Sequence, residues 1–378
     1  MSEQQQRPAS LAQLLRQLDE QGITDYRRYK AVRNYLNFAA REKNIPLSGK
    51  FELTPFCNFS CKMCYVYLNK DQLQGRRLLT VDEWKSIMGE AVKHGMMYAS
   101  LTGGECLTYP GFRELYLYLR SMGVEVTILS NGALMNADMV EFLQENPPAM
   151  IQITLYGASE DAYERVTGQR AFTTVTENIR RLKAVGIPLT LAITPSAYMT
   201  DGEEIVRLAH EMGVPFNINS GLMSPREETG RFKADADLDV YIRMMRLRRQ
   251  LQGHDVEIAE DADDLPDVAD GSGEKKFGVT CGAGRSGFSV SWCGEMRPCH
   301  TFPGEAHPVL DISFAEAWKR TNALANHFPL PLECQGCSYQ RVCKFCVAEH
   351  ASGAPVGHAN PAICAYGKRL VCEKMVKI

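Results

Sequence analysis

Residues 51–67 read FELTPFCNFSCKMCYVY, and the spacing of Cys57, Cys61 and Cys64 within them is the informative part. Three thiols in a C-x3-C-x2-C array reach three corners of one iron–sulfur cube and leave the fourth iron without a protein ligand. A cluster that only carries electrons takes four thiolates, whereas a metal centre that binds a substrate keeps a position open. The array therefore predicts a reactive cluster. Zinc fits less well, because zinc knuckles favour C-x2-C pairs with a second pair of ligands, and no such pair lies nearby. A disulfide framework is disfavoured by the odd total of 13 cysteines and by a polar start, residues 1–8, without the apolar run of an export signal.

Working outward, 378 residues exceed one average domain and suggest two. A net charge of -3 and a pI of about 6.3 argue against a nucleic-acid or anionic-membrane partner. The basic run 243–249 reads first as one solvated helix face. No window approaches the apolar length of a membrane span, so a cytoplasmic protein is expected, with cysteines serving as metal ligands and buried thiols.

Leucines 11, 14, 15 and 18 recur at helical spacing, and a second helical run covers about 25–42, so residues 1–48 predict a helical leading segment. From 49 to 253, short β-rich runs alternate with amphipathic helices, the pattern of βα units on a parallel sheet. Strands are expected at 51–54, 97–102, 124–129, 150–155, 188–194 and 216–219, and Thr80 with Glu83 forms a capping box for the first helix. That makes six units. Three short motifs fall at strand ends, where barrels of this class carry function: Thr102-Gly103-Gly104-Glu105, Ser130-Asn131-Gly132, and Thr154-Leu155-Tyr156-Gly157 with Arg165. Residues 254–276 hold nine acidic residues between Asp255 and Glu274 and read as an acidic linker.

Residues 277–378 hold nine cysteines. Cys281 is followed by Gly294 and Cys299, then by Cys334, Cys337, Cys343 and Cys346 as C-x2-C-x5-C-x2-C, and last by Cys364 and Cys372. Alternation over 287–292 and a turn at Cys293-Gly294 predict a hairpin. Two structural zinc sites are the alternative to clusters here.

The cysteine loop and the strand-end motifs together resemble the radical S-adenosylmethionine (SAM) superfamily. That resemblance implies an α/β fold, a partial (β/α)6 TIM-like barrel, with a [4Fe–4S] cluster on Cys57, Cys61 and Cys64 whose open iron chelates SAM. It implies SAM contacts at Gly103, Gly104 and Glu105, the carboxylate pairing with the SAM ammonium and the glycines giving close approach to the ligand. Ser130 and Asn131 would lie beside the ribose and methionine, Thr154 and Arg165 at the SAM carboxylate, Ile193 with 217–219 near the adenine, and Met63 as an apolar cover on the cluster. Cys106, where proline is usual, reads as a small apolar replacement.

The second array resembles the SPASM domain, a cysteine-rich α+β module with two auxiliary [4Fe–4S] clusters. Matched by position, Cys281, Cys299 and Cys346 fall on the first and Cys334, Cys337, Cys343 and Cys364 on the second, for three clusters in all. The fourth ligand of the first stays open between none and Cys293, which the predicted turn places five residues from Cys299; Cys372 reads as a free thiol. The family's peptide- and protein-modifying members imply a radical enzyme that takes hydrogen from a peptide or protein residue, with an external reductant such as flavodoxin or ferredoxin. A small-molecule radical dehydrogenase and a noncatalytic iron–sulfur electron carrier remain as alternatives.

Overall fold

A computed structural model describes residues 8, 10–219, 237–253, 278–279, 281–339, 346–351 and 353–373. The acidic stretch 254–276 and Cys343 lie outside the described residues.

Helices α1 (Leu11–Glu20) and α2 (Tyr26–Lys43) lead into strand β1 (Ser48–Glu52). The front pair is anchored rather than loose: the Arg33 guanidinium lies 4.5 Å from the Tyr98 ring centroid, and Ala40 and Leu47 pack with Tyr98. After the cysteine loop come α3 (Val81–Lys93), β2 (Tyr98–Thr102), α4 (Phe112–Ser121), β3 (Glu125–Ser130), α5 (Ala137–Glu145) and β4 (Met150–Leu155). Then follow α6 (Glu160–Thr167), α7 (Phe172–Ala184), β5 (Leu189–Ile193), α8 (Gly202–Glu211), β6 (Phe216–Ile218) and α9 (Leu238–Leu251). The expected capping box at Thr80 and Glu83 starts α3.

Six parallel strands run in the order β6-β5-β4-β3-β2-β1. β3 and β4 each alternate half-buried and buried residues along their length. The period of two sends Val126 and Ile128, or Ile151 and Ile153, into the helix-covered core and turns Gln152 and Thr154 to the other face. On the covering layer, Trp84, Ile87, Met88 and Ala91 of α3 recur at helical spacing and are at most 4% exposed.

The C-terminal region comprises β7 (Gly287–Val290), β8 (Glu295–Arg297), β9 (His307–Pro308), α10 (Phe314–His327), α11 (Val347–Ala351) and α12 (Pro361–Cys372). The predicted hairpin is present as β7 and β8. β7 also pairs in parallel with β1, Ser48 opposite Gly287 and Phe51 opposite Val290, so one nine-stranded sheet runs through both cysteine-bearing regions. β1 therefore begins three residues earlier than expected.

β6 and β9 are the free edges of that sheet. Helices meet where strands do not: α9 and α12 are joined by Arg246–Glu373 at 2.6 Å, by the Arg369–Asp239 pair and by the Tyr241 and Tyr366 rings at 5.8 Å. Among the described residues no helix is long and apolar enough to cross a membrane.

Candidate functional site

The cysteine loop hangs between two fixed supports. On one side, Ser60 N–H donates to Thr167 O at 2.9 Å and Lys62 N–H to Val166 O at 3.0 Å, tying it to the end of α6. On the other, Gly104 N–H donates to Thr54 O at 2.7 Å and Glu105 N–H to Phe56 O at 2.9 Å. A Cβ on Gly104 would lie 2.3 Å from Phe56 O, and one on Gly103, whose φ is +145°, would lie 2.4 Å from Thr54 O. These glycines are needed first for backbone meeting backbone, not for approach to a ligand as expected, although both also border the cavity below.

Glu105 is 1% exposed and does not line the cavity. Its carboxylate accepts from Asn131 N–H at 2.8 Å, Ser130 Oγ at 3.0 Å and Leu107 N–H at 3.2 Å. The carboxylate expected to pair with an incoming ammonium is engaged here by the Ser130-Asn131 turn, and burial shifts its pKa upward. Asn131 in turn donates from Nδ2 to Asn58 Oδ1 at 2.7 Å and to Cys57 Sγ at 3.6 Å. The acid thus acts through the turn on the first cysteine.

Two sulfurs of the triad accept hydrogen bonds from the loop backbone, Cys57 Sγ from Phe59 N–H and Cys64 Sγ from Tyr67 N–H, both at 3.3 Å, while the buried Tyr156 phenol interacts with the Cys61 thiol and opposes the upward push of burial on it. Burial pushes the Cys57 thiol up to about 12, and burial together with the neighbouring thiols pushes Cys61 well above its ordinary value. Three thiolates so enclosed need a cationic centre between them, which suits metal ligation. Among the described residues no three His, Cys, Asp or Glu side chains converge as ligands of a single ion would. Cubane ligands stand further apart, since each thiolate holds a different iron.

The triad borders a cavity of about 810 Å³. Met63, Gly103, Gly104, Ser130, Asn131 and Thr154 line it, as do Thr194, Asn217 and Asn219. Two expected contacts do not reach it. Arg165, on the exposed side of α6, donates to Thr200 Oγ1 at 2.7 Å, and Ile193 is fully buried with its carbonyl accepting from Asn219 N–H at 2.8 Å. Cys106 is enclosed against Leu129 O, 3.4 Å from its sulfur, and Cys372 ends α12 exposed.

The same cavity is also lined by Cys281, Cys299 and Cys346. Burial pushes the Cys346 thiol up to about 12, with Glu349 and Cys299 adding to it. Cys293 is not with them. Gly284 N–H donates to both Gly287 O and Pro298 O, so Cys299 leaves the hairpin at the level of Gly287, whereas Cys293 sits in the turn closed by Ser291 and Glu295. Four strand rises separate the two levels, on the order of 13 Å. The sequence spacing of five residues concealed this, because the chain runs straight along β8 rather than folding back.

Of the cysteines expected on a second auxiliary cluster, Cys334 and Cys337 share one turn, with Cys337 N–H donating to Cys334 O at 3.2 Å. Glu333 fastens that turn to the entry of α12, which bears Cys364, by accepting from Ala359 N–H and pairing with His358, each at 3.0 Å.

Residues 51–210 match the family model of the radical SAM superfamily. These residues form a radical SAM domain. Two curated relatives of the chain come from Bacillus subtilis (strain 168). The antilisterial bacteriocin subtilosin biosynthesis protein AlbA is 24% identical over 270 residues, 70% of this chain and 57% of AlbA. The sporulation killing factor maturation protein SkfB is 26% identical over 278 residues, 72% of this chain and 64% of SkfB. The chain thus spans less than two thirds of either relative. Among solved structures, Streptococcus suis SuiB bound to precursor peptide SuiA superposes with a TM-score of 0.64 at 16% identity, over 93% of this chain and 88% of SuiB, which is a likeness of fold.

Sequence reasoning passed over Gln152, Tyr156 and Arg248 as cavity residues. A signal existed for each: Gln152, Thr154 and Tyr156 share one face at period two, and Tyr241, Met245 and Arg248 share one at helical spacing. The run 243–249 is not one solvated face. Arg243 bonds Glu203, Arg246 pairs with Glu373, Arg249 is 8% exposed, and Arg248 turns to the cavity.

Proposed function

We propose that this chain is a peptide-modifying radical SAM enzyme with three [4Fe–4S] clusters, one on Cys57, Cys61 and Cys64 and two in the C-terminal region. The observation that carries it is the single cavity bordered both by the triad and by Cys281, Cys299 and Cys346. With a cluster and SAM bound, that cavity is supplied with a 5′-deoxyadenosyl radical able to take hydrogen from an unactivated carbon.

The chain's own residues do the positioning. Asn131 and the loop amides hold the thiols, Thr154, Gln152 and Thr194 offer hydrogen-bonding groups to SAM, and Met63 and Val66 exclude water. The first auxiliary cluster would take three thiolates, Cys281, Cys299 and Cys346, leaving a position that faces the cavity, and the second would take Cys334, Cys337, Cys343 and Cys364. A flavodoxin- or ferredoxin-type reductant would supply electrons. A peptide substrate is favoured over a small molecule by the names of AlbA and SkfB and by SuiB's precursor peptide.

Anaerobic reconstitution should give about twelve irons per chain, about four for each cubane. SAM and dithionite should yield 5′-deoxyadenosine, and coexpression with a short peptide encoded beside the gene should change that peptide's mass by loss of hydrogen. Absence of 5′-deoxyadenosine from the wild-type protein would refute the reading.

Tyr156 gives a further expected result. A hydrogen bond to a ligating sulfur stabilises the reduced, more negative cluster. Tyr156→Phe should therefore move the triad cluster to a more negative potential in a titration followed by electron paramagnetic resonance, with iron content unchanged. An unmoved potential would show that the phenol only fills space.

A further inference from the structure

Arg248 is the only Lys or Arg among the described residues that line the cavity, and Glu349 the only Asp or Glu. Its guanidinium sits 5.5 Å from the Phe216 ring centroid, and its Nε is buried with no hydrogen-bond partner among the described residues. No ion pair to it occurs there either. That ring contact holds the guanidinium without using any of its N–H donors. A guanidinium that has surrendered solvent at Nε without a partner is costly, and an arriving carboxylate would offset that cost by accepting from Nε and a terminal nitrogen together.

Its place in the fold sets it apart from the triad across the sheet rather than along it. Phe216 pairs with Leu191, Leu191 with Ile153 and Ile153 with Ser130, so Arg248, on the last turns of α9 beside Phe216, stands level with the strand-end motifs. It stands there beside β6, which lies at the opposite edge of the six parallel strands from β1, the strand that leads into the triad.

We infer that Arg248 receives a carboxylate of the peptide substrate, from an Asp or Glu side chain or from a free C-terminus, and holds the peptide at the β6 side of the cavity. This rests on the peptide reading above.

The test uses reconstituted holoenzyme with SAM and three peptide pools, degenerate at the flanking positions. One has a central Glu and an amidated C-terminus, one a central Gln and an amidated C-terminus, and one a central Gln and a free C-terminus. Retention on immobilised enzyme, quantified by mass spectrometry, should favour one of the carboxylate pools over the neutral pool on the order of tenfold. Which of the two pools is favoured identifies the source.

Arg248→Gln should erase the preference. Arg248→Lys keeps the charge but not the planar fork, so it should retain a reduced preference; it keeps the test readable if the Gln variant does not fold. Equal retention of all pools by the wild type, no retention of any, or an undiminished preference in the variants would overturn the inference. So would a matching loss of SAM affinity in Arg248→Gln, which would place the methionine carboxylate there instead. Binding is read without turnover, so a failure of SAM cleavage in the wild type would strike the radical chemistry and leave the peptide discrimination to be judged by itself.

Discussion

Cys57→Ala should reduce 5′-deoxyadenosine formation to background while leaving about eight of twelve irons per chain in place. Cys57 is the member of the triad most tied to the rest of the site: its sulfur accepts from Phe59 N–H and from Asn131, and Asn131 is held by Glu105. Removing that sulfur leaves two thiolates for a cube that needs three. The second array lies on different elements, so its iron should persist. Cys293→Ala supplies the contrast. Because the hairpin places that thiol on the order of 13 Å from Cys299, its loss should cost no iron. Continued SAM cleavage by Cys57→Ala would remove the role given to the triad, and iron loss in Cys293→Ala would remove the hairpin argument.

Gly104→Ala should be strongly destabilising. Its Cβ would lie 2.3 Å from Phe56 O and 2.6 Å from Pro55 O, backbone atoms that cannot rotate away. Relief requires the start of the cysteine loop to move. The expected cost is about 3 kcal/mol, the upper end for overpacking, accompanied by poor iron retention at the triad. Gly123→Ala is the comparison: its φ of +76° strains an alanine, but nothing lies within 4 Å of the new Cβ. Its cost should be about 1 kcal/mol, with iron unaffected. Thermal unfolding and iron analysis of the two variants separate the contributions. Equal behaviour would mean that the loop accommodates the clash.

The parallel strands were legible because each is short, alternates at period two or is uniformly apolar, and is closed after its helix by a glycine or, after α5, by Pro147. The cysteine loop was legible because its chemistry resides in local spacing. What local pattern does not contain is pairing across the chain. Ser48-Gly49-Lys50 has little strand character, and it is a strand because Tyr98–Ser100 and Gly287–Ser289 flank it on both sides. The partners of Arg165 and Glu105 were hidden for a related reason. A motif names a residue type but not the competitor for its hydrogen bonds, and Thr200 and the Ser130-Asn131 turn are those competitors. The arginine run failed as a single face because four arginines within seven helical positions point in different directions, toward Glu203, Glu373, the core and the cavity.

The ladder between β1 and β7 has a mechanical consequence. Electron tunnelling weakens exponentially with separation, so two redox centres on loosely tethered bodies would exchange electrons at a broad spread of rates. Here the segment feeding the first thiols and the strand between Cys281 and Cys299 are hydrogen-bonded neighbours in one sheet. Any transfer between them would cross a gap set by backbone pairing, a ruler that thermal motion cannot stretch without first tearing the sheet.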